Sequence, residues 1–499
     1  MNNGIIERLF HLKESKTTLK TELLAGVTSF LAMAYILAVN PAILGVTGMD
    51  RGGVFVATAL AAFAGTIIMA FSANLPLLLA PGMGLNAYFA YTVVAQMGYS
   101  WQIALFAVFL EGFIFLILSL TKVREAIFNA IPAPLKTAVG VGIGLFIAFI
   151  ALQNAHIIVN NDATLVSFQH FTKENISTHG ISAILAMVGV LIIAFLNQKK
   201  IRGSILIGIL VTWGLGIIAQ LTGLYQIKPE LGCHSMLPTL SVDSMLAPFH
   251  GFGKLFGQAF NVSAWTLKGA DVSGGLLVGS VNFLVVMFAF LFVDLFDTLG
   301  VLIGVCGKAD MLDKDGRLPQ IRGALLSDSI ATSVGALFGT STTTAYLESA
   351  TGVSEGGRTG LTAVTGAILF LVALLFAPIF LAIPAFATAP ALIMVGLYMM
   401  EPIRKIDFSN LYEALPAYVT IISMPFAYSI SEGICLGVIA WALLNFAGRT
   451  GKNTPLIYVL AVLFILKYIF LRCAFFTHPT GTSGTSSTTG SATTSSPRF

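Results

Sequence analysis

Apolar windows of about 17–25 residues recur from one end of the chain to the other, each long enough to cross a bilayer as a helix. The 499 residues are 56% hydrophobic and only 10% charged, with a mean hydropathy of +0.88. A soluble domain of this size needs far more charge to cover its surface. The pattern therefore predicts an all-α polytopic membrane protein. The net charge of +4 does not point to nucleic acid, because the basic residues sit in short loops between apolar runs. Forty-nine glycines suit close helix packing and broken helices. Cys233, Cys306, Cys435 and Cys473 match no metal or disulfide spacing and read as small apolar filler.

The expected spans cover roughly 22–41, 54–73, 76–98, 102–121, 134–153, 179–196 and 203–222 in the first part of the chain. After a long connection come 278–305, 321–339, 341–357, 360–382, 386–400, 414–429 and 431–448. Loop charge orients them. With the N-terminus inside, alternation places Lys122 and Arg124, then Lys199, Lys200 and Arg202, then Lys308, Lys314, Arg317 and Arg322 on the same side. Arg358, Arg404 and Lys405, and finally Arg449 and Lys452 join them, while the long loop 223–275 falls outside. This is the positive-inside pattern with fourteen spans in a cell (inner) membrane.

Fourteen spans divide into a segment 22–222 and an inverted counterpart 278–448, separated by an extracytoplasmic loop 223–277. Residues 1–21 form a polar cytoplasmic lead-in, unlike a signal peptide. A C-terminal hydrophobic segment, 449–472, either spans again or lies against the bundle, with Lys467 favouring the second. The Ser/Thr/Gly tail 473–499 has the composition of disorder. Internal similarity supports the repeat: Met33, Leu37, Val39 and Asn40 stand at the same spacing as Met287, Leu291, Val293 and Asp294.

The third and tenth spans hold matching irregularities. Pro81, Gly82 and Gly84 break the third just before Asn86, and the hydroxyl run Ser341–Thr344 reads as an extended piece before Tyr346 and Glu348. Paired breaks in corresponding spans point to a polar site at the membrane midplane. Glu348, at the start of a half-helix, is its centre. The helix dipole favours a charge there and burial disfavours it, so the carboxyl can exchange a proton with solvent or ligand. The plainer alternative is an acid capping its own helix. Asp294 and Asp297 lie three apart on one helix face; one would bind substrate or hold the coupling proton, the alternative being that one merely hydrogen-bonds Thr or backbone in the neighbouring broken spans. Asn86 offers a donor and an acceptor opposite Glu348, with a helix N-cap as its alternative. Tyr88, Phe89 and Tyr346 are candidates to stack on a flat ring. Glu111, Asp328 and Glu432 are explained by interhelical hydrogen bonds or a near-surface position, and His156 by the interface. No Walker A sequence, metal-binding histidine pair or G-x-S-x-G elbow occurs, so neither an ATP-driven pump nor an enzyme is expected, and no metal or cofactor.

At APGMGLNAYF, FVDLFDTLGVLIG and TSTTTAYLESATGV the chain resembles the nucleobase–cation symporters of the nucleobase–ascorbate class, in their AzgA-like branch. The resemblance covers about residues 15–470. It implies a 7+7 inverted repeat with core and gate domains, short strands facing each other in the third and tenth spans, and homodimers. It also implies that Asp294 (or Asp297) and Glu348 hold a purine ring, with Asn86 and the backbone at Leu85 and Tyr346 facing the base. The match of Asp294 with Asn40 favours Asp294 for the ligand and leaves Asp297, with Glu348, for the proton. In place of the Asn–x–Gly of the uracil and xanthine branches stands Glu348–Ser349–Ala350–Thr351–Gly352, which favours hypoxanthine, guanine and adenine. The expected activity is proton-coupled import of these bases by alternating access, with H⁺ rather than Na⁺ as the coupled ion. Two alternatives are an anion permease of the sulfate-transporter fold, opposed by the carboxylates, and an intramembrane aspartyl protease, whose Tyr–Asp and Gly–x–Gly–Asp contexts are missing. A channel is the third.

Overall fold

The structure is a computed structural model. It describes residues 3–120, 132–161, 163–173, 175–201, 203–228, 233, 235–238, 241–261, 263, 265, 276–309, 311, 318–449 and 454–476. Lys122, Arg124, Arg202, Lys314, Arg317, Lys452 and the tail from 477 lie outside these residues.

The first part of the chain forms α1 (Asn3–Phe10), α2 (Leu19–Met33), α3 (Ile36–Gly45), α4 (Arg51–Ser72), β1 (Leu79–Pro81) and α5 (Met83–Ala87). A π-helical stretch, Tyr88–Gln96, continues α5. Next come α6 (Trp101–Leu120), α7 (Ala133–Asn154), a hairpin of β2 (Ile158–Asn161) and β3 (Leu165–Phe168), α8 (Ile181–Gln198), α9 (Ser204–Leu221) and α10 (Val242–Leu255). The second part forms α11 (Leu276–Lys308), α12 (Ile321–Phe338), β4 (Thr343–Ala345), α13 (Ser349–Ser354) and α14 (Gly360–Ala373). It ends with α15 (Ala377–Leu381), α16 (Ala385–Met400), α17 (Leu411–Phe426), α18 (Ile430–Ala447) and α19 (Pro455–Phe476).

Ten helical stretches among the described residues are long and apolar enough to cross a membrane. One of them, Leu19–Gly45, is α2 and α3 joined at Ala34–Tyr35. Local chemistry sets the helix ends. Thr18 accepts a hydrogen bond from the Thr21 amide at the start of α2, and Asp50 accepts one from the Gly53 amide (2.7 Å) at the start of α4. Gly339, at φ +94°, closes α12 in the left-handed region and turns the chain into the extended run.

The helices pack in two groups. In one, α4 lies against α10, α12 and α14, α6 against α12, and α2 against α13 and α14. In the other, α7 packs on α16 and α17, α8 on α9 and α16, and α17 on α18. Helix α11 touches both, reaching α6 and α13 on one side and α7 and α18 on the other. Helix α19 packs on α18 and α11, burying Ile457, Leu460, Ala461 and Phe464 while Val459, Val462 and Leu463 face outward. The described side chains of α19 thus pack on the bundle along one stripe.

The two interrupted stretches meet inside the first group. Strands β1 and β4 pair antiparallel, Leu79 opposite Ala345, Ala80 opposite Thr344 and Pro81 opposite Thr343. Irregular backbone at this depth is tolerated only where protein satisfies its polar groups, and hydroxyls from neighbouring helices do so. Thr66 of α4 accepts from the Leu79 amide (2.9 Å) and donates to the Leu79 carbonyl (3.2 Å). Thr332 of α12 donates to the Thr343 carbonyl (3.1 Å), and Ser349 accepts from the Leu78 amide (3.0 Å). Thr66, Thr332, Thr343, Thr344 and Ser349 are all fully buried. Hydroxyl residues in an apolar sequence thus become the edges of a two-stranded ribbon.

Candidate functional site

Glu348 stands immediately before α13, where the ribbon turns back into helix. Its side chain makes no capping hydrogen bond to α13. Instead Oε1 accepts a hydrogen bond of 2.7 Å from the Tyr35 hydroxyl, brought in by the junction of α2 and α3. The plain capping role is therefore not what the side chain does. The Glu348 carbonyl accepts from the amide (2.9 Å) and the hydroxyl (2.7 Å) of Thr351, which anchors the first turn of α13.

Tyr346 is buried, and its hydroxyl donates to the Pro81 carbonyl, across the ribbon from its own strand. Its amide donates to the Leu78 carbonyl (3.1 Å), and its carbonyl accepts from the Ser349 amide (3.1 Å). The backbone of Tyr346 is thus engaged on both sides. Leu85 lies in the first turn of α5, where an amide has no intrahelical acceptor, while its carbonyl accepts from the Tyr88 amide. Asn86 is fully buried. It accepts a hydrogen bond from the Ser341 hydroxyl and donates to the Pro81 carbonyl (3.4 Å). Gly82, not Asn86, is the N-cap of α5, so the capping alternative for Asn86 does not hold. Tyr88 and Phe89 are fully buried against Phe290, Tyr88 edge-on at 4.7 Å between ring centres.

The two aspartates of α11 differ in setting. Asp294 is fully buried, and its Oδ1 lies 3.3 Å from the Thr298 hydroxyl. The same hydroxyl lies 2.9 Å from Asp328 Oδ2 on α12 and 2.8 Å from Thr344 Oγ1 on β4. One hydroxyl proton serves one acceptor at a time, so Thr298 links two carboxylates to the ribbon. Asp297 is half-buried and sits beside Gly82: a Cβ there would meet Thr344 Cγ2 at 3.0 Å and Asp297 Oδ2 at 3.6 Å. Asp297 is also within electrostatic reach of Asp328, Glu348 and Tyr346. Asp297 thus shares an electrostatic neighbourhood with Glu348.

The other acids have partners. Glu111 accepts from the Thr342 hydroxyl (2.9 Å), and Glu432 from the Tyr468 hydroxyl of α19. His156 lies just beyond α7, its ring 3.9 Å from that of His179. Burial, with the neighbouring His179, pushes the His156 imidazole down to about 4.

The residue-by-residue reading missed several contributors. Tyr35 is one, since nothing distinguishes it from other aromatic residues in an apolar run. Tyr398 of α16 is another: its buried hydroxyl has no hydrogen-bond partner, and it feels the charge of Glu348. Glu22 is fully buried and accepts from the amides of Arg358 (2.9 Å), Thr359 (3.3 Å) and Thr362 (3.2 Å) and from the Thr362 hydroxyl (2.6 Å). It ties α2 to the start of α14.

A polar ribbon and carboxylates enclosed by apolar helices, at the meeting of two interrupted segments, define a membrane transport protein rather than an enzyme. Comparison with known proteins narrows the class. A profile described as Permease family matches residues 20–436, and the chain belongs to this family, that of the nucleobase–ascorbate permeases. The adenine permease AdeP of Escherichia coli (strain K12) is 40% identical over 94% of this chain and 97% of its own length. The guanine/hypoxanthine permease PbuO of Bacillus subtilis (strain 168) is 41% identical over 93% of this chain and 100% of its own length. Among solved structures, the transmembrane domain of a cyanobacterium bicarbonate transporter, BicA, superposes with a TM-score of 0.59. It covers 84% of this chain and 97% of that one at 17% identity, a likeness of fold alone.

Proposed function

We propose that this permease imports purine nucleobases (hypoxanthine, guanine and adenine) by alternating access, coupled to the entry of H⁺ rather than Na⁺. The observation that carries the reading is the match, along nearly the whole chain, to relatives named for adenine and for guanine and hypoxanthine. The chemistry agrees. A neutral purine presents ring N–H donors and N acceptors along one edge. Carboxylates accept from those donors, and an Asn side chain can do either job.

In this reading Glu348 binds the base, with Asn86, the Leu85 amide and the ring of Tyr346 completing its surroundings. The sequence favours Asp294 for the ligand and Asp297 for the proton. Burial supports the opposite order: Asp297 is the less completely enclosed acid, beside Gly82 and within electrostatic reach of Glu348, and Asp294 is enclosed with Thr298 and Asp328. Protonation neutralises a buried carboxylate before it moves relative to the bilayer, avoiding a cost on the order of a few kcal/mol or more. The membrane potential adds about 2.3 kcal/mol per charge per 100 mV, so inward proton flow can drive accumulation. The chain would form fourteen spans in a 7+7 inverted repeat. The first packing group would act as core and the second as gate. The N-terminus would be cytoplasmic, in a homodimer in the inner membrane. The shared fold also suits an anion permease, but carboxylates at the centre of the site oppose an anion.

The test is uptake of labelled hypoxanthine into cells lacking their own purine carriers, with and without a protonophore. Protonophore-sensitive uptake, competed by adenine or guanine and not by uracil, is expected. Uptake indifferent to the protonophore contradicts the coupling, and competition by uracil contradicts the substrate class.

A further inference from the structure

Tyr35 occupies an unusual position for a tyrosine in an apolar run. It is fully buried, sits at the junction where α2 gives way to α3, and aims its hydroxyl at a carboxylate on another segment. The Tyr35–Glu348 hydrogen bond is 2.7 Å long, and a phenol O–H facing a carboxylate donates. The groups that feel Glu348 electrostatically from other elements are Tyr398 from α16 and Asp297 from α11, with Tyr346 on its own segment. Among the described residues no arginine or lysine bonds to Glu348, so its fixed partner is a neutral donor.

A carboxylate with both oxygens free favours a fork of two parallel N–H donors, as in its pairing with a guanidinium. Holding Oε1 with a phenol takes up one of that oxygen's two lone-pair sites and competes with a second N–H there, which leaves Oε2 as the less encumbered acceptor. We infer that Tyr35 is a specificity-determining residue: by occupying Glu348 Oε1 it makes the acid a one-point acceptor, suited to bases with one N–H at that edge. Hypoxanthine presents such an edge, a single N1–H beside a carbonyl. Guanine presents a fork, N1–H beside the exocyclic amine, and gains nothing from its second donor while Tyr35 is in place. The inference rests on the purine reading above.

The experiment compares wild type with Tyr35→Phe, which keeps the buried ring and removes only the hydroxyl. Apparent KM and maximal uptake are measured for labelled hypoxanthine and guanine, alongside the melting temperature of the purified protein. Without its anchor the carboxylate loses its orientation for the single donor but opens both oxygens to the fork. The KM for hypoxanthine is expected to rise about tenfold while that for guanine stays within about twofold, with maximal uptake and melting temperature little changed. The ratio of the two specificities is the readout that a purely structural role leaves alone. Equal KM values in variant and wild type overturn the inference, and so does an equal loss for both bases. Wild-type protein supplies a second measurement that needs no variant to fold: guanine and hypoxanthine should compete within about twofold of each other. A preference of tenfold or more for guanine indicates the fork and overturns the inference. A wild type that takes up neither base contradicts the purine reading itself, a result distinct from a failed Tyr35→Phe comparison.

Discussion

His156 stands at φ +53° just past the end of α7, with its ring against His179. Its imidazole is held down to about 4, first by burial and then by the second histidine, so the folded protein keeps it neutral at physiological pH. In the unfolded chain it titrates near 6.5. The stability it contributes is therefore complete above about pH 6.5 and is lost as pH falls from there toward 4. Partial exposure discounts the full shift, leaving a contribution of about 1–2 kcal/mol. His156→Gln should flatten the decline in melting temperature between about pH 6.5 and 4. A variant that declines as steeply as wild type contradicts this. At the same scale, the acids of the site could be picked out in the sequence because a carboxylate inside an apolar run has few explanations. Their neighbours could not. Tyr35, Thr298 and Thr66 are ordinary residues in membrane helices until the chain folds and directs their hydroxyls at particular carboxylates or carbonyls.

Helix α13 shows what the elements demand of one another. It lies so close to α2 that a Cβ on Gly352 would collide with the Ala25 carbonyl and the Ser29 hydroxyl. Backbone can yield little at such a contact, so Gly352→Val should destabilise the protein by about 1–3 kcal/mol and displace Glu348 at the other end of the same short helix. Thermal unfolding of the purified variant checks this. An unchanged melting temperature would show that the two helices are free to separate. The break in the tenth stretch is visible in sequence because four hydroxyl residues in a row are poor helix formers and rich in capping chemistry. The partner strand is not visible in the residues themselves and is expected only from the family resemblance. Leu79–Pro81 belongs to the apolar run LPLLLAP, and only the Pro–Gly that follows betrays an interruption. Length also limits the reading of the helices. At sixteen residues α17 is shorter than a full crossing, and neither it nor α12 is among the ten long apolar stretches.

Across the whole molecule, hydropathy is a long-range signal, so the class emerges from sequence before any contact is known, and loop charge supplies an expected orientation. The arrangement of the site does not, because it joins α2, α11, α12 and the ribbon, segments up to 313 residues apart. Its chemistry also explains why anion transporters can share the fold without sharing the ligand. The bundle supplies two interrupted segments enclosed by apolar helices, and the side chains at the break decide which charge is welcome. Glu348 is the proposed acceptor that holds the base. The most direct measurement is equilibrium binding of hypoxanthine to purified protein, comparing wild type with Glu348→Gln, a near-isosteric change that removes the carboxylate. Saturable binding in wild type, weakened at least about tenfold in the variant (about 1.4 kcal/mol) with its melting temperature preserved, is the predicted result. Equal affinity in the two proteins would contradict it and move the binding site away from the break before α13.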